Sequence, residues 1–285
     1  MLYELKRNNL KLTADSFGAE LHSIQLNQLE YLWQCGDAWK RYAPILFPFI
    51  CSPKNRTYQA NGKEYQMKAN HGFARDLEFD LLEKTECSIT FQLDSNAETL
   101  AQYPYQFQFK IKYTILENGV KIEHTVLNTD NKPIYFYIGG HPAFNCPLEP
   151  NENFTDYIVE YETEETVTRM INNQPVVLLK NEKILHITRE LFDYDAIILA
   201  NPKSKKISLK SKNSSHAVTV EFPESECIAV WSPMHDDHAR FVCLEPWTSV
   251  PTSYDDSELD IEKKAHAIKL DAGNEYNYSY IITVK

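Results

Sequence analysis

The segment Tyr105–Thr114 reads YQFQFKIKYT, with an aromatic or aliphatic residue at every second position. Because the side chains of a β-strand point alternately to its two faces, this pattern predicts a strand with one buried and one solvated face. Shorter runs of the same kind occur at Ser88–Leu93, Val120–Val126, Ala217–Phe222 and Tyr276–Val284. Together they predict an all-β fold, a large antiparallel β-sandwich.

Turns and helices fit the same interpretation. Two polar turns predict hairpin connections: Asn61-Gly62 and Glu117-Asn118-Gly119. Helical periodicity is limited to two short segments: Asn96–Tyr103, ahead of Pro104, and Glu190–Phe192. With no linker, repeat or low-complexity tract in 285 residues, we expect one domain over residues 1–285.

Charge and hydropathy limit which partners the chain is expected to bind and in which cellular compartment it is expected to occur. The formal net charge is −11, which argues against nucleic acid or an anionic membrane surface, since both select basic patches. The segment Met1–Leu12 has no sustained apolar run, and no stretch approaches the roughly twenty apolar residues that cross a bilayer. The expected location is therefore the cytoplasm.

The cysteines are scattered, and no phosphate-binding glycine motif is present. They predict reduced, mostly buried thiols: Cys35, Cys51, Cys87, Cys146, Cys227 and Cys243. The segment His235–His238 (HDDH) lacks the spacing of a helical zinc motif and follows Pro233, so it predicts a solvated loop. We expect no cofactor and no metal.

Four segments place ionisable residues beside glycine, proline or aromatic residues: Lys54–Arg56 with Asn70–Arg75, Gly139–Asn145, Phe192–Asp195 and Cys243–Trp247. Each has a structural interpretation, such as a loop histidine at His71 or a core histidine at His141. Glu245 follows the apolar run Phe241–Leu244, where a carboxylate is costly unless it is paired or functional. Together, the segments predict an acid–base site on a β-scaffold.

The motifs resemble those of the galactose mutarotase (aldose 1-epimerase) family, in its bacterial, lactose-operon-type branch. Four occur in family order along nearly the whole chain: Asn55-Arg56 with His71-Gly72, Asn128-Thr129 and Lys132-Pro133 with His141, Asp195 before Ala196–Leu199, and Leu244-Glu245-Pro246. The resemblance implies a β-supersandwich with the sugar in a cleft on one sheet. It also implies a small-molecule sugar substrate and a monomer or homodimer.

The resemblance implies a role for each matching residue. Glu245 is the base on the anomeric hydroxyl, His141 is the acid on the ring oxygen, and His71 is a second donor there. The sugar hydroxyls are held by four further residues: Arg56, Asn55, Asp195 and Arg75. Asp193 is an alternative to Asp195. An imidazole with an ordinary pKa of about 6.5 suits proton exchange at cellular pH.

The expected reaction is the interconversion of the α and β anomers of a free hexose such as galactose or glucose. The segment His71–Arg75 (HGFAR) looks more like the hexose-6-phosphate branch. An alternative is therefore a hexose-6-phosphate mutarotase, in which Arg75, Lys54 or Lys40-Arg41 holds the phosphate. A second alternative is a non-catalytic carbohydrate-binding protein on the same fold. Aromatic residues expected to form a wall for the sugar are Trp247, Phe144 and Trp231.

Overall fold

The computed structural model describes residues 1–172, 174–234, 236 and 238–285. The strands of the first half are β1 (Leu2–Arg7), β2 (Leu10–Asp15), β3 (Leu21–Leu26), β4 (Leu29–Glu30), β5 (Ile45–Leu46), β6 (Thr57–Ala60), β7 (Lys63–Gln66), β8 (Asp80–Lys84), β9 (Ser88–Asp94), β10 (Phe107–Ile115), β11 (Gly119–Asn128) and β12 (Ile134–Phe136). Those of the second half are β13 (Gly139–Gly140), β14 (Ala143–Asn145), β15 (Tyr157–Ile171), β16 (Gln174–His186), β17 (Ile197–Ala200), β18 (Lys206–Ser211), β19 (Ala217–Glu221), β20 (Cys227–Trp231), β21 (Phe241–Trp247), β22 (Ile268–Leu270) and β23 (Glu275–Val284).

Helical structure within the described residues is short. It comprises the α-helix α1 (Ala97–Gln102) and 3₁₀ turns at Lys54–Arg56, Ala74–Asp76, Phe154–Asp156, Arg189–Phe192 and Thr252–Asp255. Asn96 caps α1, because its side chain accepts hydrogen bonds from the N–H groups of Glu98 and Thr99. The helix stops just before Pro104, where a further turn would clash. Both predicted helical segments are thus confirmed.

Two antiparallel sheets form the body of the fold. The larger has nine strands in the order β16-β15-β18-β19-β23-β11-β10-β9-β8. The other has the order β17-β20-β21-β13-β5, with β14 also paired to β21. The predicted strands β9, β10, β11, β19 and β23 are neighbours in the nine-stranded sheet, so the predicted antiparallel β-sandwich is confirmed. The remaining strands form a four-stranded sheet, β1 to β4, and the pairs β6-β7 and β12-β22.

The hairpin turn at Asn61-Gly62 is also confirmed, since it joins β6 to β7. Both residues have left-handed backbone angles, with φ of 51° at Asn61 and 69° at Gly62. Two successive left-handed residues match the right-handed twist of a tight hairpin, which is why an Asn-Gly pair marks such turns.

The buried faces of the two large sheets meet in one core. Phe47, directly after β5, stacks on Phe109 of β10 with ring centroids 4.4 Å apart. Gly140 of β13 lies against Tyr280 of β23, where an added Cβ would be 2.4 Å from the tyrosine hydroxyl. Gly140 therefore lets the six-stranded sheet approach the nine-stranded sheet closely. The residues after β13 and on β21 are fixed by this packing.

The described part of the chain contains no helix with the length and hydropathy that a membrane crossing requires. All six cysteines are free, and Cys146, Cys227 and Cys243 are buried.

Candidate active site

A cleft of about 290 Å³ opens on the six-stranded sheet. Its lining comprises Trp39, Cys51, Asn70, His71, Arg75, His141, Asp195, Ala196, Trp231, Glu245 and Trp247. Five of the seven predicted site residues are among them. Three of those come from separate parts of the chain: Glu245 from the middle of β21, His141 from the step between β13 and β14, and Asp195 from the turn before β17.

Glu245 and His141 form the floor of the cleft. The Glu245 side chain is 2% exposed and the His141 side chain 8%, and His141 Nε2 lies 3.3 Å from Glu245 Oε2. Glu245 sits on the same face of β21 as Trp247, and its Cα partner on β20 is Ala229. Glu245 Oε2 has no hydrogen-bond partner among the described residues, so the two atoms approach without forming a hydrogen bond. A small tightening of this contact would bring them within reach for proton transfer.

Burial shifts the pKa values of Glu245 and His141 in the directions that favour the neutral form of each group. Desolvation raises the pKa of Glu245 well above its usual range, and the nearby Asp195 adds to the rise. Desolvation lowers the pKa of His141 well below its usual range, and His71 and Arg75 lower it further. Burial therefore favours a protonated Glu245 beside a neutral His141, with one proton on the pair. This differs from the ordinary imidazole pKa expected from the sequence.

His71 has a defined orientation. Its Nδ1 accepts a hydrogen bond of 3.0 Å from the N–H of Cys51, while the His71 N–H donates to the Cys51 carbonyl. Burial lowers the pKa of His71 to about 3, with Arg75 and Arg41 acting in the same direction. From this hydrogen bond we assign a neutral imidazole whose proton is on Nε2, so His71 is a hydrogen-bond donor.

Three residues of the cleft have left-handed backbones: φ is 56° at Cys51, 62° at His71 and 70° at Asp195. Such angles are unfavourable for residues other than glycine and often occur at functional sites. Gly72 is required beside them, because a Cβ there would lie 2.1 Å from the Phe47 carbonyl oxygen. The backbone of Phe47–Pro48 thus packs directly under the His71 segment.

Arg75 is the arginine of the cleft. Its side chain is 13% exposed, and its Nε is buried without a hydrogen-bond partner among the described residues. Asp76 Oδ2 lies 3.9 Å away, but Asp76 also accepts a hydrogen bond from Arg41. Arg41 further donates to the Arg75 carbonyl, so it supports the Arg75 turn from outside the cleft.

The structure does not bring Asn55 and Arg56 to the cleft. Both are exposed, both have left-handed backbones, and the Arg56 guanidinium donates to the Lys68 carbonyl. Their sequence position beside the first histidine motif predicted a place in the site, but the local turn directs them elsewhere. Of the two aspartates considered, Asp195 lines the cleft.

Aromatic side chains form much of the wall. Trp231 and Trp247 line the cleft as expected, whereas Phe144 is fully buried in the core. Trp39 was not predicted, although its ring stacks on His141 with centroids 5.0 Å apart. The available signal was a pair of tryptophans, Trp33 and Trp39, in the polar segment between β4 and β5.

The nearest donor atoms of His141, Cys243 and Glu245 lie within 4.8 Å of one another, a set that suits a soft divalent ion. The direct contact of His141 with Glu245 already supplies an acid and a base, so we assign the pair to proton transfer. We expect activity to be unchanged after dialysis against EDTA. Loss of activity that a particular divalent ion restores would contradict this assignment.

The sequence predicted a solvated loop at His235–His238. Two residues of this segment, His235 and Asp237, lie outside the described part of the chain.

A larger groove of about 680 Å³ crosses β18, β19 and β23 on the other sheet. Three of its basic groups are paired with acidic neighbours: Lys206 with Glu162, Lys210 with Glu160, and His216 with Glu149. This groove contains no counterpart of the buried acid–base pair.

Comparison with known proteins places the chain in a family. The aldose 1-epimerase family model matches residues 1–283. The chain is 34% identical to the chromosomal LacX protein of Lactococcus lactis, covering all of this chain and 99% of that protein. The structure of a galactose mutarotase related enzyme from Lactobacillus acidophilus matches with a TM-score of 0.93 and 29% identity, covering 100% of this chain and 97% of the other.

A galactose mutarotase-like protein from Lactobacillus casei matches with a TM-score of 0.89 and 30% identity, covering 100% of both chains. The predicted family resemblance is therefore confirmed over the full described fold, not only at the four motifs. The chain belongs to the aldose 1-epimerase family.

Proposed function

We propose that this protein is a mutarotase that interconverts the α and β anomers of a free aldohexose such as galactose or glucose. The observation that carries the proposal is the contact of 3.3 Å between His141 Nε2 and Glu245 Oε2 at the floor of a sugar-sized cleft. Membership of a family of carbohydrate epimerases supports it.

The reaction needs one proton removed and one delivered. Glu245 takes the proton of the anomeric hydroxyl as the C1–O5 bond breaks, and His141 delivers a proton to the ring oxygen O5. The product is an open-chain aldehyde, which rotates about the C1–C2 bond. His141 then takes the proton back as O5 attacks the other face of C1, and Glu245 returns its proton to O1. The pair begins and ends with the same single proton.

The shifted pKa values of Glu245 and His141 favour one end of this cycle. Burial favours the neutral pair, and the neutral pair is the form that accompanies the open aldehyde. The ionic pair accompanies the closed ring, so a proton must first pass from Glu245 to His141 across the 3.3 Å between them. Each positioned proton transfer contributes about 10²–10⁴-fold to a rate.

The other polar residues of the cleft orient the sugar. In this proposal His71 donates through Nε2 to the ring oxygen, Asp195 accepts from sugar hydroxyls, and Arg75 takes the hydroxyl-binding role assigned from the sequence to Arg56. Trp231 and Trp247 offer apolar surfaces to the carbon face of the ring.

The proposal is tested by two-dimensional exchange NMR of anomeric protons, with a panel of free and 6-phosphorylated aldoses. We expect exchange far above the buffer rate for at least one free hexose. Exchange at the buffer rate throughout, accompanied by saturable sugar binding, would favour a non-catalytic carbohydrate-binding protein instead.

One observation favours the second candidate, a hexose-6-phosphate mutarotase: the Nε of Arg75 is buried in the cleft and lacks a hydrogen-bond partner among the described residues. The other residues considered for a phosphate clamp do not line the cleft. Lys40 pairs with Asp37, and Arg41 with Asp76. The acidic Asp195 in the cleft lining also disfavours a dianion there. We therefore favour the neutral sugar.

The choice is tested by kcat/KM for glucose and glucose 6-phosphate in the wild type and in Arg75→Ala. We expect the wild type to prefer glucose, and Arg75→Ala to lower kcat/KM for it by about 10-fold, as for a lost charge-assisted hydrogen bond. Arg56→Ala, at an exposed arginine outside the cleft, is the matched control and should change little. A large preference for the phosphate that disappears only in Arg75→Ala would establish the second candidate.

A further inference from the structure

The imidazole of His141 is packed on three sides by other rings. Trp39 lies over its face, with centroids 5.0 Å apart and an interplanar angle of 28°. Trp231 and His71 approach it nearly perpendicularly, at 5.5 Å and 83° and at 5.4 Å and 84°. On the remaining side, the Nε2 atom of His141 lies 3.3 Å from Oε2 of Glu245.

Among the described residues, no side-chain hydrogen bond fixes this ring, and its Nε2 only approaches Glu245. Among the described residues, the buried His141 Nδ1 has no hydrogen-bond partner. A catalytic histidine is commonly oriented by a hydrogen bond to the nitrogen that does not react. Here that bond is missing, so the orientation of the imidazole plane depends on the rings packed against it.

Trp39 is itself firmly held. It stacks on Phe241 at 5.5 Å and meets Trp231 edge-on at 5.7 Å, in a small apolar cluster separate from the main core. The Trp33 indole N–H donates to the Trp39 carbonyl at 2.8 Å. At the end of the same segment, the buried Glu20 carboxylate accepts the N–H groups of Tyr42 and Ala43. The indole is therefore a fixed surface.

We propose that Trp39 is the positioning residue of His141: its indole face sets the plane of the imidazole so that Nε2 faces Glu245, and it keeps water off that face. The proposal rests on the acid–base role given above to His141. Proton transfer requires this alignment, and a displacement of about 1 Å can cost about 10²-fold in rate.

The titratable groups near His141 lie on two other elements. Glu245 and Cys243 are on β21, and His71 and Arg75 are on the segment that packs against Phe47. His71 and Arg75 both oppose protonation of His141, as burial does. Exposing one face of the ring to water removes part of the burial and should raise the His141 pKa toward its ordinary value of about 6.5.

The test compares Trp39→Ala, Trp39→Leu and Trp39→Phe with Trp33→Phe. Trp39→Leu keeps apolar volume, so it replaces the alanine variant if that one fails to fold. We expect Trp39→Ala and Trp39→Leu to lower kcat by about 10-fold or more with a smaller change in KM. Trp39→Phe, which keeps a flat ring, should recover most of the activity. Trp33→Phe removes the hydrogen bond to the Trp39 carbonyl and shortens the ring on Phe241, but it leaves the Trp39 indole on His141 and should stay near wild type.

A second measurement does not depend on activity. The His141 imidazole is titrated by NMR in protein labelled with ¹³C-histidine, and its midpoint should rise in Trp39→Ala or Trp39→Leu but not in Trp33→Phe. An unchanged midpoint and unchanged kcat in the Trp39 variants would overturn the proposal. Equal losses in the Trp39 variants and in Trp33→Phe would also overturn it, since they would indicate general support of the loop. A wild type without anomer exchange would refute the proposed function, whereas the NMR midpoint would still decide whether Trp39 controls His141.

Discussion

Replacement of Glu245 by glutamine is expected to slow anomer exchange by at least about 10²-fold, the lower range for loss of one positioned proton transfer. Glutamine keeps the shape of the side chain, but its amide cannot accept the proton of the anomeric hydroxyl. The measurement is the exchange rate by NMR at saturating sugar. Exchange at the wild-type rate in purified Glu245→Gln would remove this residue from the mechanism.

The same variant should be more stable than the wild type at neutral pH. The pKa of Glu245 is raised in the folded protein, so the folded state holds a proton that the unfolded chain releases above about pH 4.5. Stability is therefore lost as pH rises above that value, and glutamine removes this loss. A higher Tm at pH 7 together with lost activity would show that Glu245→Gln is folded. Glu152→Gln, at a buried glutamate outside the cleft, is the control and should keep its activity.

Replacement of His141 by asparagine should have an effect of similar size, about 10²-fold or more, because the ring oxygen loses its proton donor. Residues that act as a unit give non-additive losses. We therefore expect the double variant Glu245→Gln/His141→Asn to be no slower than the slower single variant. This is measured with the same exchange assay and a double-mutant cycle.

Losses that multiply in the double variant would contradict direct proton sharing between the two residues. His216→Asn provides the histidine control, since His216 pairs with Glu149 and neither residue lines the cleft. It should leave the exchange rate within about threefold of wild type, as expected for a partly exposed surface pair.

The fold could be predicted because its signals are local. Alternation in segments such as Tyr105–Thr114 reports directly on the two faces of a strand, and the caps and turns at Asn96 and Asn61-Gly62 act within a few residues. Pairing of these strands into two sheets is not local, and here the family resemblance supplied what periodicity could not.

The site could be predicted only in part. Glu245 and His141 stand out, because each ionisable residue adjoins an apolar strand. Arg56 was assigned to the cleft from its motif, but the direction of its side chain depends on a left-handed turn and on the Lys68 carbonyl. Trp39 and the shifted pKa values were missed for a related reason: both depend on packing between segments that are distant in sequence.

The left-handed backbones at His71 and Asp195 also affect laboratory evolution. Each such angle costs a residue with a Cβ roughly 1–2 kcal/mol, although Asp tolerates it better, and glycine largely avoids this cost. Glycine at position 71 or 195 would therefore tend to survive a library sorted for heat resistance, while deleting a side chain that faces the cleft. Sorting by heat alone would then enrich inactive clones, so each round of selection should also score turnover.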